Sequence, residues 1–426
     1  MKSTQKRILI VGGGASGVIA AIALMRAGIG PDMIDIADPR ELLGEGLAYE
    51  TRNSLHLLNV QSSRMSAIEE LPNDYLEWSN ALPYSFMERQ SYGEYLRDRC
   101  GSGLIHIRDY VIDLDLRITG EISATFSMGT NKNYDEVVLA MGHGKARIPN
   151  FIRDLPESPR IILDVWDGSI LPHCQTMLCF GTGLSFIDTA LTHLSRKHGN
   201  RVIAISGSGN LPERIEGTHV DQFEPTLDEV NTLEKLRAYL SDAGDNWRAA
   251  VDELRPIKEE MWRGFTPSEQ EEFLLTVGTA WSRRRHPMAP AIADRVDDEI
   301  KSGRIQIIKG KVSRVVELET AIEIKLETGD SYSAEYLAIC VGRDYKNSDP
   351  LSTSLIDAGK TRRGQLGIGL SVDASTGLLE NSDGSKYSNI YALGPLRLGG
   401  TFETTAIPDI RRQAFVIASL AAISRI

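Results

Sequence analysis

The chain has 426 residues, well above the ~150 typical of one domain, so two or more cores are expected. Hydrophobic residues make up 42% and charged residues 25%, which excludes a disordered or low-complexity chain. Forty-seven Lys and Arg face 58 Asp and Glu, a net charge of −11 that disfavours a nucleic-acid or anionic-membrane partner while leaving room for a locally basic pocket. The longest strongly apolar run, Val18 to Met25, is 8 residues, against the roughly 20 needed to span a bilayer. Met1 to Arg7 carries no apolar signal core, and four cysteines are too few for a disulfide scaffold. A reducing, cytoplasmic setting is the expectation.

The chain opens with Arg7-Ile8-Leu9-Ile10-Val11, a β-branched run that predicts a strand, followed by Gly12-Gly13-Gly14-Ala15-Ser16-Gly17. An Ala-rich helix is predicted from about Ser16 to Ala27 and a second strand from Met33 to Ala37, leading to Asp38. This is G-x-G-x-x-G in a strand–turn–helix–strand setting. Its first Gly permits the tight turn, its second lets a diphosphate approach the backbone, and its third lets helix and strand pack closely. The helix N-terminus offers free N–H groups to phosphate, and Asp38 stands where an acid holds ribose hydroxyls.

A second such unit is predicted in mid-chain. Gln175 to Phe180 reads as a strand, Gly181-Thr182-Gly183-Leu184-Ser185 as the turn, a helix runs to about Leu194, and Arg201 to Ser206 is the next strand. Phe186 replaces the third Gly, and no acid ends the second strand, so neither NADH nor NADPH is selected. Two dinucleotide folds in one chain suggest a division of labour between a tightly held flavin and a nicotinamide that delivers hydride. Three further apolar strands close on glycine: Glu136 to Ala140 before Gly142, Tyr336 to Val341 before Gly342, and Asn389 to Leu393 before Gly394.

Between about 221 and 302 the pattern is helical, with helices predicted at Thr232–Leu240, Trp247–Met261, Ser268–Ala280 and Ala291–Ile300. An insertion of this length exceeds an ordinary loop. Its Trp247-Arg248, Arg255-Pro256 and Trp262-Arg263 pairs read as solvated faces with Trp in the core, whereas the run Arg283 to Arg285 is a candidate anion site. Residues 303 to 338 read as a β meander. Cys174 and Cys179 are five apart, but Cys179 lies inside an apolar strand, where a buried structural thiol is the usual outcome. There is no C-x-x-C, G-x-S-x-G or H-E-x-x-H, and no cluster with metal-ligand spacing, so no metal is expected. The fold class is therefore α/β, two Rossmann-like dinucleotide-binding domains (FAD and NAD(P)H) with a helical insertion. Residues 1–150 and 330–426 are assigned to the FAD domain and 151–329 to the NAD(P)H domain.

Gly44-Glu45-Gly46-Leu47-Ala48-Tyr49, His56-Leu57-Leu58-Asn59-Val60 and Arg64-Met65-Ser66-Ala67 resemble a family of bacterial FAD/NAD(P)-binding proteins with a Leu-Asn-Val motif that includes FAD-dependent urate hydroxylases. The resemblance continues through Tyr92-Gly93-Glu94-Tyr95-Leu96, Arg284-Arg285-His286 and Glu403-Thr404-Thr405-Ala406-Ile407-Pro408-Asp409. More distantly the layout is similar to flavin N-hydroxylases and Baeyer–Villiger-type monooxygenases. Gly207-Ser208 stands where the family tends to carry basic residues, which leaves the choice of nicotinamide open.

The resemblance implies an FAD monooxygenase that uses NAD(P)H and O₂ to hydroxylate a small polar, nitrogen-containing substrate through a flavin C4a-(hydro)peroxide. An oxidoreductase passing electrons to a small acceptor, or a non-catalytic nucleotide-binding protein, are the alternatives. The flavin site is expected at Gly12, Gly14, Ala15, Ser16, Gly17, Asp38, Asn59, Val111, Gly142, Gly394 and Ile410. The nicotinamide site is expected at Gly181, Gly183, Leu184, Ser185 and Ser206. Asn59, Gln61 and Arg64 are candidate hydrogen-bond donors to the reacting centre and His56 a candidate proton shuttle, with a satisfied structural His the alternative. Glu403 and Arg411 are expected either to contact flavin or substrate or to pair with each other.

Overall fold

The computed structural model of the protein describes residues 6–116, 120–155, 158–166, 171–215, 224–343 and 349–425. Ile8–Val11 is wholly buried, as expected of a strand covered on both faces of a parallel sheet. It pairs in parallel with Ile34–Ala37 on one side and Glu136–Leu139 on the other. Ile105–Ile107 and Lys386–Ala392 extend the sheet in parallel, and Leu378–Glu380 adds an antiparallel edge, giving six strands. Helix α1 (Ala15–Arg26) buries most of its length and packs in one apolar cluster with the C-terminal helix Ile407–Ile423.

The second sheet repeats the plan. Thr176–Phe180 lies between Arg201–Ser206 and Tyr336–Ile339, with Ile305–Lys309 and the short Ile161–Ile162 at its edges, all parallel. In both units a three-stranded antiparallel sheet precedes the strand that lies against the glycine turn: Val111 to Tyr134 before Glu136–Leu139, and Val312 to Ala334 before Tyr336–Ile339.

Three expectations are corrected. Tyr336–Ile339 belongs to the second sheet, so that unit extends past residue 330 and the return to the first falls after it. Ile305–Lys309 is no part of a meander but a parallel strand on Arg201–Ser206. Pro290–Lys301 packs Ile292, Ala293 and Val296 against that sheet, so it is a crossover helix and the insertion proper spans 227–285. Within the insertion the predicted Trp247–Met261 helix breaks into Trp247–Glu253 and Lys258–Gly264, because Pro256 lacks the N–H a continuous helix needs. Ser268–Ala280 likewise divides into Pro267–Thr276 and Gly278–Arg285. Among the described residues no helix is long and apolar enough to cross a membrane.

The insertion has a core of its own, with Trp247, Trp262, Phe273 and Trp281 buried among Leu233, Leu236 and Met261. It docks on the segment after Gly394. Phe402 enters that aromatic core, stacked on Trp262 at 5.2 Å between ring centroids and edge-on to Phe273 at 4.7 Å and Trp281 at 5.4 Å. The Trp262 indole donates to the Gly399 carbonyl at 3.1 Å and the Trp281 indole to Glu403 at 2.9 Å. Phe402→Ala is expected to cost about 3 kcal/mol at this junction. Hydrogen exchange should accelerate across 227–285 and 399–405 while the two parallel sheets keep their protection; uniform loss across the molecule would contradict a local docking role.

Candidate functional site

Gly12 turns the chain out of the first strand with φ of +101°, a conformation suited to glycine, and its N–H donates to Ala37 O at 2.8 Å. A Cβ there would stand 2.5 Å from the Ala140 carbonyl oxygen, and one on Gly17 only 1.8 Å from that of Gly12. The second turn repeats this backbone. Gly181 has φ of +105°, donates to Ile205 O at 2.9 Å, and has no room for a Cβ because Cys340 O lies 2.4 Å from its position. Phe186, at the third-Gly position, is buried on the inner face of helix α2 (Leu184–Arg196).

Gly14 and Gly183 begin α1 and α2 with extended backbone, and neither helix carries a side-chain cap. By contrast Thr232 and Thr266 cap the insertion helices Leu233–Asp242 and Pro267–Thr276. The first helical bonds are Val18 N–H to Gly14 O and Ile187 N–H to Gly183 O. The N–H groups of Ala15, Ser16 and Gly17, and of Leu184 and Ser185, therefore find no acceptor among the described residues. Aligned N–H groups at a positive dipole end suit a diphosphate, and a Cβ on Gly183 would meet nothing within 4 Å, so the second mouth is open to one. Gly394, with φ of +69°, lies against the first: a Cβ on it would be 3.0 Å from Ser16 Oγ. Gly142, at φ of +74°, follows the strand end that Gly12 abuts and has open space around it.

Asp38 departs from its expected part. Its Oδ1 accepts from the Arg40 N–H and Nε, both at 3.0 Å, and its Oδ2 from Gly13 N–H at 2.7 Å and Arg40 Nη2 at 3.0 Å. All four acceptor positions of the carboxylate are thus filled, and a ribose could reach it only by displacing the half-exposed Arg40. Burial would raise the Asp38 pKa, but the Arg40 contacts outweigh it and hold the carboxyl below its ordinary value. Sequence reading missed Arg40, although a cation two residues past the acid was visible. Val111 starts an antiparallel strand opposite Phe126, and Ile410 packs inward against α1.

The segment from Thr51 to Asn59 is the seam between the two units. His56 Nδ1 bonds Thr51 Oγ1 at 2.8 Å, and its Nε2 contacts Thr192 Oγ1 at 2.8 Å and Asp188 O at 3.2 Å on α2. Burial lowers its pKa, and both ring nitrogens are engaged within the chain. Arg89 pairs with Asp188 at 2.7 Å and Asn53 donates to Thr192 at 3.0 Å across the same seam. Asn59 lines a narrow cleft with Leu184, Ile187 and Met288, so it lies beside the start of α2 at the second glycine turn. Ser206 is spent locally: its Oγ is 3.0 Å from Thr182 Oγ1 and accepts from Gly209 N–H.

Gln61 precedes the turn Ser62–Arg64, and Arg64 at its end reaches the insertion, 3.6 Å from Asp252. Arg255 and Arg285 face the same Asp252, and Arg285 and Lys258 face Glu403. Glu403 and Arg411 do not pair with each other: Arg411 bonds Glu69 at 2.8 Å. The side chain of Arg283 lies outside the described residues. Arg284 and Arg285 diverge, the first stacking on Trp247 at 4.8 Å, the second turning inward. The cysteines hold no disulfide. Burial pushes Cys174 up to about 12 and Cys100 up to about 11, and Cys179 rises through its neighbour Cys340 and burial, so these thiols are poor nucleophiles.

Gly181→Ala is expected to cost about 2–4 kcal/mol, because the added methyl meets backbone. Gly183→Ala should leave the unfolding midpoint unchanged yet weaken nicotinamide nucleotide binding at least tenfold, read by denaturant unfolding and calorimetric titration of each variant. A second expectation concerns acid. Burial alone would raise Glu403, but Arg285, Lys258 and the Trp281 indole outweigh it and bring the carboxyl from its ordinary 4.5 to about 2. Its contribution, about 3 kcal/mol, is then complete above pH 4.5 and lost as pH falls from there towards 2. Glu403→Gln should be less stable than wild type at pH 7, with the difference shrinking below pH 4.5.

Residues 9–144 match a protein family described as FAD-NAD(P)-binding. No curated protein matches the chain in sequence. Among solved structures it is similar to L-lysine 6-monooxygenase from Pseudomonas syringae, at 14% identity and a TM-score of 0.68, covering 99% of this chain and 100% of the other. The Kutzneria sp. 744 ornithine N-hydroxylase, with reduced FAD, NADP+ and L-ornithine, is matched at 14% identity and a TM-score of 0.63 over 99% of each chain. Thioredoxin reductase of T. acidophilum is matched at 13% identity and a TM-score of 0.55 over 98% of each. At such identities the likeness is one of fold: this chain has the two-sheet α/β architecture of FAD/NAD(P)-binding flavoprotein monooxygenases and reductases.

Proposed function

We propose that the protein is an FAD-dependent monooxygenase that takes electrons from NADPH or NADH and inserts one oxygen atom from O₂ into a small polar substrate. The observation that carries the reading is the pair of uncapped glycine turns of one backbone geometry, each leaving N–H groups without an acceptor at the start of its helix. The N–H groups of Ala15, Ser16 and Gly17 would hold the flavin diphosphate and those of Leu184 and Ser185 the nicotinamide nucleotide. When bound, the flavin accepts hydride and activates oxygen; the chain's own part is to bind, orient and exclude water.

Asn59 offers an amide at the junction, and His56, Asn53 and Arg89 fix the junction's width by tying its loop to α2. The docked insertion supports oxygen insertion over open electron transfer, because it covers the segment after Gly394 with an aromatic core. Disulfide reduction lacks a reagent here: Cys100, Cys179 and Cys340 are buried and half-buried Cys174 has a raised pKa. The neighbours act on lysine and ornithine, and a small nitrogen-containing substrate is the corresponding class for this chain.

The purified protein is expected to be yellow, to be bleached anaerobically by NADPH or NADH, and to consume one O₂ per reduced nucleotide. With ¹⁸O₂ and a metabolite extract, one product should be heavier by a single labelled atom. Reduction without label in any metabolite would assign the chain to electron transfer instead, and a protein that takes up no flavin would remove both readings.

A further inference from the structure

The insertion turns a net-positive, largely buried cluster towards the loop after Asn59. Arg64 comes from that loop, and Arg248, Arg255, Lys258 and Arg285 from the insertion; Asp252, Glu403 and Asp409 oppose them. Lys258 is settled, with Asp409 at 2.6 Å and Glu403 at 3.7 Å. The guanidinium groups are not. Arg64, Arg255 and Arg285 share the single Asp252 at 3.6, 3.6 and 3.7 Å, well beyond the about 2.7–2.9 Å of a hydrogen-bonded pair. Arg285 lies 3.3 Å from Glu403, yet its Nε, like that of Arg255, is buried without a hydrogen-bond acceptor. Its side chain is nine-tenths buried, 10% exposed. Among the described residues Arg248 forms no ion pair within 4 Å, and its pKa is lowered by burial and by Arg285 and Arg64 despite Asp252. Arg284 adds nothing inward, being paired with Glu213 at 3.3 Å.

Charge held away from water is costly unless a counter-charge meets it, and here cations outnumber anions by two. Planar guanidinium forks with free N–H donors match carboxylate or phosphonate oxygens, whereas an ammonium group would meet like charge. We propose that this cluster is the substrate anchor and that the substrate is a small organic dianion, gripped by Arg248, Arg255 and Arg285 with Arg64 closing from the Asn59 loop. That the ligand is the substrate rests on the monooxygenase reading; that the site takes an anion does not.

The test uses flavin-loaded protein titrated calorimetrically, and by flavin difference spectra, with C2–C5 dicarboxylates, phenylphosphonate, succinamide, 1,4-diaminobutane and NADP+. At least one dianion should bind ten times more tightly than succinamide or the diamine, with affinity falling as salt rises. Arg248→Met, at a partly buried position outside any ion pair within 4 Å among the described residues, and the conservative Arg285→Lys should each weaken that dianion at least tenfold and leave NADP+ binding within twofold. Failure of every dianion to bind, tighter binding of the diamine, or variants that weaken NADP+ alone would overturn the inference, the last by assigning the cluster to nucleotide phosphate. Colourless protein that still binds the dianion through these arginines would uphold the anion site while removing the flavin reading.

Discussion

The arrangement rests on one backbone contact made twice: a glycine at the end of a central strand pressed against the carbonyl that ends the neighbouring strand. Ala140 O stands 2.5 Å from where a Gly12 Cβ would be, and Cys340 O stands 2.4 Å from that of Gly181. No side chain fits, so the chain turns tightly out of the strand and the helix begins directly beyond the strand end. That geometry leaves N–H groups unsatisfied at both turns, and those groups are the fold's offer to a diphosphate. A methyl group at either place would push the turn from the neighbouring strand end and distort the cradle with it.

The two turns are alike but differently covered. Gly44 N–H donates to Gly13 O at 2.8 Å, and a Cβ on Gly46 would stand 3.1 Å from Gly14 Cα, so the chain after Asp38 runs over the first turn. A Cβ on Gly183 would meet nothing within 4 Å. A tightly retained group suits the first and an exchanging one the second, which is the asymmetry that a prosthetic flavin and a diffusing nicotinamide require. The seam from Thr51 to Asn59 is tied to α2 through partly buried polar bonds rather than apolar packing alone, so its width is fixed by direction as well as by contact.

Local signals made much of this legible. Both glycine turns, the strands ending at Ala37, Phe180 and Ser206, and the helices after the turns follow from composition and period over a dozen residues. What sequence did not disclose depends on contacts distant along the chain or on a side chain's choice of partner. Asp38 reads as a ribose ligand by position, yet Arg40 folds back on it. Ile305–Lys309 alternates like its meander neighbours, and only its partner strand makes it parallel. Arg64, Arg255, Arg285 and Glu403 come together from four separate stretches; sequence marks Arg64, Arg285 and Glu403 one by one, but no local pattern says that they meet.

The segment from Gly394 to Asp409 gives these pieces a common frame. It begins against Ser16 at the first turn, places Phe402 in the insertion core and Glu403 and Asp409 in the cationic cluster, then enters the helix packed on α1. Its start is locked by a closed set of hydrogen bonds: Gly394 N–H donates to Gln413 Oε1 at 3.0 Å, Gln413 Nε2 to Thr404 Oγ1 at 2.8 Å, and Thr404 Oγ1 to Gly394 O at 2.8 Å. Thr404 and Gln413 are buried, so these bonds are shielded from water and costly to break. Glu403, which faces Arg285 and Lys258 of the insertion, stands one residue from that lock. The insertion is in this way joined to the first glycine turn by a hydrogen-bonded strap.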